Sequence, residues 1–231
     1  MATYVLIHGA GSDSWYWHLV VPELRALGHD VVAVDLPCDD DSAGLAEYTE
    51  AVVEAVGDRT DLIVVAQSLA GFTAPLVCER VEVDLLILVA AMVPLPGETP
   101  GEWWANTGHA EAVREQGAWD GRPTGAEFDP RVVFFHDVPS GIVDEAFARG
   151  EKLQSGTPFE KPWSLDHWPE VPTRFLLCRH DRFFPAGFQR RVVAERLGIV
   201  PDEMDGGHLP AFSRPKELVS RLEAYRAELG A

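Results

Sequence analysis

The chain has 231 residues, 46% of them hydrophobic and 24% charged, which suits an α/β domain with a full core. A formal net charge of −18 argues against nucleic acid or an anionic membrane surface as a partner, and no apolar run reaches the length of a membrane span. Cys38, Cys78 and Cys178 lack metal-ligand spacing and fall where apolar elements are expected. They read as reduced thiols of a cytoplasmic protein, whose N-terminus enters a strand without a signal-like segment.

Residues Tyr4 to Ile7 form an apolar strand that stops at His8-Gly9-Ala10-Gly11-Ser12. Trp15, Trp17, Val20, Val21, Leu24 and Leu27 recur at helical spacing until Gly28. Asp30 to Val34 is a second strand, and strand, helix and strand at this distance make a βαβ unit with parallel strands. Asp39-Asp40-Asp41 suggests a cation at first sight, but consecutive side chains diverge. A solvated loop capping a helix from Gly44 to Val56 accounts for them better.

Leu62-Ile63-Val64-Val65 reads as a strand buried on both faces, followed by the small-residue turn Ala66-Gln67-Ser68-Leu69-Ala70-Gly71 and a helix running to Arg80. A serine on such a sharp turn is pushed out of the sheet beside a cluster of backbone N–H groups, as in a nucleophile elbow. Small neighbours are required because strand and helix backbones nearly touch there. Leu85 to Val89 is a fourth strand. From Leu95 to Trp168 the alternation breaks into a segment rich in proline, glycine and aromatic residues, with short helices expected near Glu102–Gln116 and Ile142–Leu153. So long a segment between two strands reads as an inserted helical lid, leaving residues 1–94 and 169–231 as the core. Sheet rhythm returns at Thr173 to Cys178, then a helix to Leu197, a short strand near Ile199 to Met204 and a terminal helix from Arg214 to Leu229. The expected architecture is a doubly wound α/β domain with about six strands, mostly parallel, which binds ligands outside the carboxyl ends of its strands.

Three strand ends therefore each present a reactive side chain: Ser68, Asp181 and His208. A serine hydroxyl becomes a nucleophile when an imidazole takes its proton, and a carboxylate fixes the tautomer of that imidazole. The negative intermediate needs donors, for which the N–H groups of Leu69 and Ala10 are the candidates. The other histidines fit less well. His180 adjoins Asp181 but adjacent side chains rarely face one point; His8 reads as a structural histidine shaping the first loop; His109, His136 and His167 read as surface residues of the insertion, and Asp205 as a turn residue. Trp103 and Trp104, adjacent indoles near the end of the fourth strand, are candidates for the pocket.

His8-Gly9-Ala10 with Trp15 and Trp17, Gly28-His29 before Val31 to Leu36, Gln67-Ser68-Leu69-Ala70-Gly71, His180-Asp181-Arg182 through Pro185, and Gly207-His208 together resemble the α/β-hydrolase superfamily. Within it they resemble the branch of plant methyl esterases and hydroxynitrile lyases with their bacterial relatives. The segment from Phe134-Phe135-His136-Asp137 to Leu153 is similar to that branch's lid, which adds Phe135 to the pocket candidates. The resemblance implies a Ser68–His208–Asp181 triad acting without a cofactor on a small-molecule ester, with neither nucleic acid nor membrane as partner and a homodimer left open. The chain departs from the pattern at Ala66, where the elbow usually has glycine. It departs again at Gly9 and Leu209, where the lyases carry a threonine and a lysine. The expected activity is a carboxylesterase acting on an ester with an apolar part. The alternatives are a carbon–carbon lyase using the same triad, and a ligand receptor on a hydrolase scaffold.

Overall fold

The computed structural model describes residues 1–122 and 128–229. Strands β1 (Thr3–Ile7), β2 (Asp30–Val34), β3 (Leu62–Gln67), β4 (Leu85–Val89), β5 (Thr173–Cys178) and β6 (Asp202–Met204) form one sheet in the order β2-β1-β3-β4-β5-β6. Every pairing is parallel. Three strands, β2, β4 and β5, have the expected boundaries. The helices are α1 (Val20–Ala26), α2 (Leu45–Val56), α3 (Ala70–Cys78), α4 (Pro100–Asn106), α5 (His109–Trp119), α6 (Pro130–Val133), α7 (Ser140–Ala148), α8 (Ala186–Leu197), α9 (Pro210–Ser213) and α10 (Pro215–Glu228). None is long and apolar enough to cross a membrane.

The pleat sends alternate side chains to opposite faces, and each face has its own core. Val64, Ala66, Leu86, Leu88 and Leu177 pack with α2, α3 and α8 through Val52, Phe72 and Val192. Ile63, Val65, Ile87, Val89 and Leu176 pack with α1 and α10 through Leu24, Leu218 and Leu222. Each such buried aliphatic side chain contributes about 1.5–3 kcal/mol relative to an exposed one, which is what holds helices on both faces. The chain winds from β1 to β2 on one side and from β3 to β4 on the other, so β1 and β3 flank the switch point where the crevice opens.

Local structure differs from expectation in several places: the stretch Trp15–Leu27 is a short turn at Ser14–Trp17 followed by α1, and β6 begins only at Asp202. Helix α2 is capped by Glu47, whose carboxylate accepts from Gly44 N–H at 2.8 Å, and not by the Asp39–Asp41 run. Asp40 instead accepts from the Ser42 N–H and hydroxyl. The helix expected over Glu102–Gln116 is two helices, split at Gly108, which takes φ +67°.

The insertion contributes to the core as well as to the crevice. Trp103 and Trp163 are 1% and 2% exposed, and their indole N–H groups donate to the carbonyls of Val93 and Phe72. Glu98 and Arg196 form a buried ion pair, completed by Asn106 Nδ2 at 2.8 Å from Glu98. Adjacent residues of a helix point about 100° apart, so Trp103 and Trp104 cannot share one environment: Trp103 enters the core and Trp104 turns toward the crevice. Trp103→Ala should therefore cost about 3–5 kcal/mol of stability, measured by equilibrium denaturation, while Trp104→Ala should cost clearly less. Equal losses would contradict this division.

Candidate active site

β3 ends at Gln67, and Ser68 turns the chain with φ +55°, a left-handed conformation that a residue with a side chain rarely adopts. Its carbonyl accepts from Gly71 N–H at 3.1 Å and from Met92 N–H at 2.9 Å, which locks the turn between α3 and the segment after β4. A β-carbon on Gly71 would overlap the Met92 carbonyl oxygen, so this close approach demands glycine.

The other two side chains arrive from the ends of β5 and β6. Asp181 is 2% exposed; its Oδ1 accepts from the backbone N–H groups of Phe183 and Phe184, both at 2.8 Å. Its Oδ2 lies 2.8 Å from His208 Nδ1, and His208 Nε2 lies 3.1 Å from Ser68 Oγ. With Nδ1–H donating to Asp181, Nε2 presents its lone pair to the serine hydroxyl. The imidazole is walled by Phe134, Phe183 and Phe184. Its backbone is held at two points: Gln67 Nε2 donates to the His208 carbonyl at 3.1 Å, and Gly207 N–H donates to Asp137 Oδ2 at 2.7 Å.

The loop after β1 completes the group. Ile7 pairs with Ala66, so the two strands deliver His8–Ser12 and Ser68 to the crevice side by side. A β-carbon on Gly9 would sit 2.8 Å from Ser68 Cβ. His8 is fully buried; its Nδ1–H donates to the Gly9 carbonyl at 2.8 Å, and its Nε2 accepts from Leu36 N–H at 3.3 Å. The Gly9 carbonyl and the Ala10 N–H belong to one trans peptide and point oppositely. His8 thereby sets the direction of the Ala10 N–H. Neither this N–H nor that of Leu69 has a protein acceptor among the described residues.

A cavity of about 230 Å³ opens on Ser68 and His208. Its walls are Tyr16, Met92, Trp104, Phe134, Phe135, Phe159, Phe183, Leu209 and Phe212, with Ala10 and Leu69 beside the serine, and among the described residues no Lys, Arg, Asp or Glu lines it. A larger groove between α5 and α8, lined by Glu111, Glu115 and Arg191 among others, contains none of the three reactive residues. Among the described residues no cluster of side chains could hold a metal ion.

A model of the alpha/beta hydrolase family matches residues 4–221. The chain belongs to the alpha/beta hydrolase family. Among its relatives, it is 24% identical to norfluorocurarine synthase 1 of a Strychnos species, over 95% of this chain and 93% of the relative. It is 26% identical to methylesterase 7 of Arabidopsis thaliana, over 95% and 94%. Among solved structures, a pyrethroid hydrolase from Sphingobium faniae JZ-2 superposes with a TM-score of 0.75 at 23% identity, covering 98% of this chain and 97% of that one. The last likeness speaks for the fold alone.

In this hydrolase Ser68, His208 and Asp181 come together as the sequence leads one to expect, and Trp104, Phe135 and Leu209 line the cavity with Ala10 and Leu69. Trp103 does not: its side chain belongs to the core. His180 is exposed and Asp205 pairs with Arg179 at the surface, away from the imidazole. His109 is not a surface residue as expected. It donates to the Phe183 carbonyl at 2.7 Å and packs among Trp104, Phe183 and Phe184. Sequence reasoning also missed Asp137, Phe183 and Phe212. Of these Phe183 carried a signal, two residues beyond the acid, and Asp137 stood in the lid-like segment with no role attached to it.

Burial holds the imidazoles of His8, His109 and His136 below the ordinary value of 6.5. The unfolded chain takes up these protons at a higher pH than the folded one. Their contribution to stability is therefore fully present above about pH 6.5 and lost as pH falls toward the folded-state values. His8→Asn should accordingly shrink the loss of stability between about pH 7 and about pH 5, followed by denaturant titration at each pH. An unchanged or steeper loss would contradict a neutral, buried His8.

Proposed function

We propose that the protein is a serine carboxylesterase that cleaves a small ester with an apolar acyl or alkyl part through an acyl-enzyme. The observation that carries this reading is the continuous relay Ser68 Oγ, His208 Nε2, His208 Nδ1, Asp181 Oδ2, at 3.1 Å and 2.8 Å, opening on a cavity walled mostly by aromatic and aliphatic side chains. Ser68 Oγ attacks the ester carbonyl while its proton passes to His208 Nε2, and the carbonyl electron pair moves onto oxygen. The N–H groups of Ala10 and Leu69 receive that oxyanion. His208 returns the proton to the departing alkoxide, releasing alcohol. A water then gives its proton to His208 and its oxygen to the acyl carbon, and collapse of the second intermediate frees the acid and restores Ser68. Asp181 holds the imidazole in the required tautomer. Ester and water balance the reaction, so no cofactor is invoked.

The insertion supplies the roof in this reading: Trp104, Phe134, Phe135 and Phe159 wall the cavity and exclude water from the intermediate. A relative whose name describes a methylesterase supports ester hydrolysis as the reaction class. Leu209 and Gly9 speak against the lyase alternative. A leucine cannot steady a departing anion, and Gly9 has no room for a side chain that could hold a cyanohydrin hydroxyl.

Ser68→Ala should fold and lose nearly all hydrolysis of p-nitrophenyl esters, by about a million-fold if the triad acts as a unit. His208→Ala should lose a similar factor and Asp181→Asn less. Substantial esterase activity in Ser68→Ala would sink the assignment, and Ser68 labelling by a fluorophosphonate without turnover of any ester would favour a receptor. A second assay follows benzaldehyde release from mandelonitrile, which should not exceed the spontaneous rate. Ser68-dependent release faster than ester hydrolysis would make the protein a lyase.

A further inference from the structure

The loop that carries the Ala10 N–H is held from two sides. His8 fixes the Gly9–Ala10 peptide from within the sheet, as described above. The next peptide, Ala10–Gly11, is fixed from outside: the Gly11 N–H donates to Gln154 Oε1 at 3.0 Å, across 143 positions of sequence. Gly11 takes φ +61°, a left-handed conformation that favours glycine. Gln154 is itself anchored, since its Nε2 donates to Tyr48 Oη and to the Ser155 carbonyl, both at 3.0 Å. Ser155 N–H donates to the Cys38 carbonyl at 2.7 Å, and Thr157 Oγ1 to the Asp41 carbonyl at 2.7 Å, which stitches the same stretch to the loop after β2. Just beyond Gly11, Asp13 Oδ2 receives Lys152 Nζ at 2.8 Å and Arg149 Nη2 at 3.2 Å. The Arg149 guanidinium also lies over the Trp15 ring, 4.7 Å from its centroid. The end of the insertion thus grips this loop at Gly11, Asp13 and Trp15.

We infer that Gln154 is a positioning residue for oxyanion stabilisation, so that the far end of the insertion forms part of the oxyanion machinery and not only of the pocket roof. The inference rests on the serine-esterase reading. Gln154 touches neither Ser68 nor the cavity; it acts by holding the Ala10–Gly11 peptide, with which the orientation of the Ala10 N–H is coupled through one residue. A donor aimed at developing charge counts only while it stays in place, since displacement forfeits transition-state stabilisation and leaves ground-state binding intact.

The test compares Gln154→Leu, which removes the acceptor, with Gln154→Glu, which keeps one. Each is assayed for kcat and KM on a p-nitrophenyl ester and for inhibition by an aryl trifluoromethyl ketone. That ketone forms a hemiketal: Ser68 Oγ bonds to the carbonyl carbon, its proton passes to His208, and the carbonyl electron pair becomes an oxyanion. Gln154→Leu should lower kcat about 10-fold or more with KM unchanged, because a misplaced donor acts on the transition state. Its affinity for the ketone should fall by the same factor, and Gln154→Glu should recover most of both. Unchanged kcat and ketone affinity in Gln154→Leu, or a change confined to KM, overturns the inference. If Gln154→Leu does not fold, Asp13→Asn loosens the same loop while keeping the cap on the Trp15 N–H. It should lower kcat and ketone affinity in parallel, and no change in either overturns the inference. Wild-type hydrolysis that persists in Ser68→Ala would instead remove the esterase reading itself, a separate result.

Discussion

The site depends first on the register between β1 and β3. Because Ile7 lies opposite Ala66, the two strands release their chains at the same height, and Gly9 comes to rest against Ser68. A slip of one residue would exchange the two faces of a strand. Val5 and Ile7 would then meet the α10 side, and Leu6 the α2 side, with both cores mismatched at once. The two hydrophobic cores are therefore what fixes the distance between Ser68 and the loop of Gly9 and Ala10.

Within that register the turn at Ser68 is the costly element. A non-glycine residue in the left-handed region carries strain of about 1–3 kcal/mol. The two hydrogen bonds to its carbonyl and the bare Cα of Gly71 against Met92 oppose that strain. Ala66 in place of the usual glycine is accommodated because it lies at the end of β3, fully buried on the α3 side, where a methyl group fills space.

The sheet and its three reactive ends were readable because they rest on short-range patterns. Leu85–Val89 is a fully buried aliphatic run, Asp30–Val34 and Thr173–Cys178 are rich in β-branched, aromatic and aliphatic residues, and Ser68, Asp181 and His208 follow strands directly or within a few residues. The insertion was readable only as a change of rhythm. Helices of four residues such as α6 and α9 offer no periodicity, and the break at Gly108 divides a pattern that looks continuous. Trp103 was misplaced because two neighbouring indoles look alike in sequence, whereas the helix sends one inward and one to the cavity. For Asp137 and Gln154 the sequence carried no sign of the contact that each makes. Their partners, Gly207 and Gly11, lie 70 and 143 positions away, and each contact joins a side chain to a glycine N–H. No local spacing encodes such a meeting.

Asp137 and Gln154 bracket the whole of α7, and each is tied to a different loop of the sheet. An outward swing of this stretch as a rigid flap would pull on the His208 loop and the Ala10 loop together. Entry to the cavity is compatible with an intact relay only through smaller motions, above all rotation of the phenyl rings in its wall. Rotamer changes of half-buried aromatic rings are fast beside the hinge motions of whole segments. In the serine-esterase reading, passage between these rings should then discriminate molecules by width more than by length, as a turnstile does and a hinged door does not.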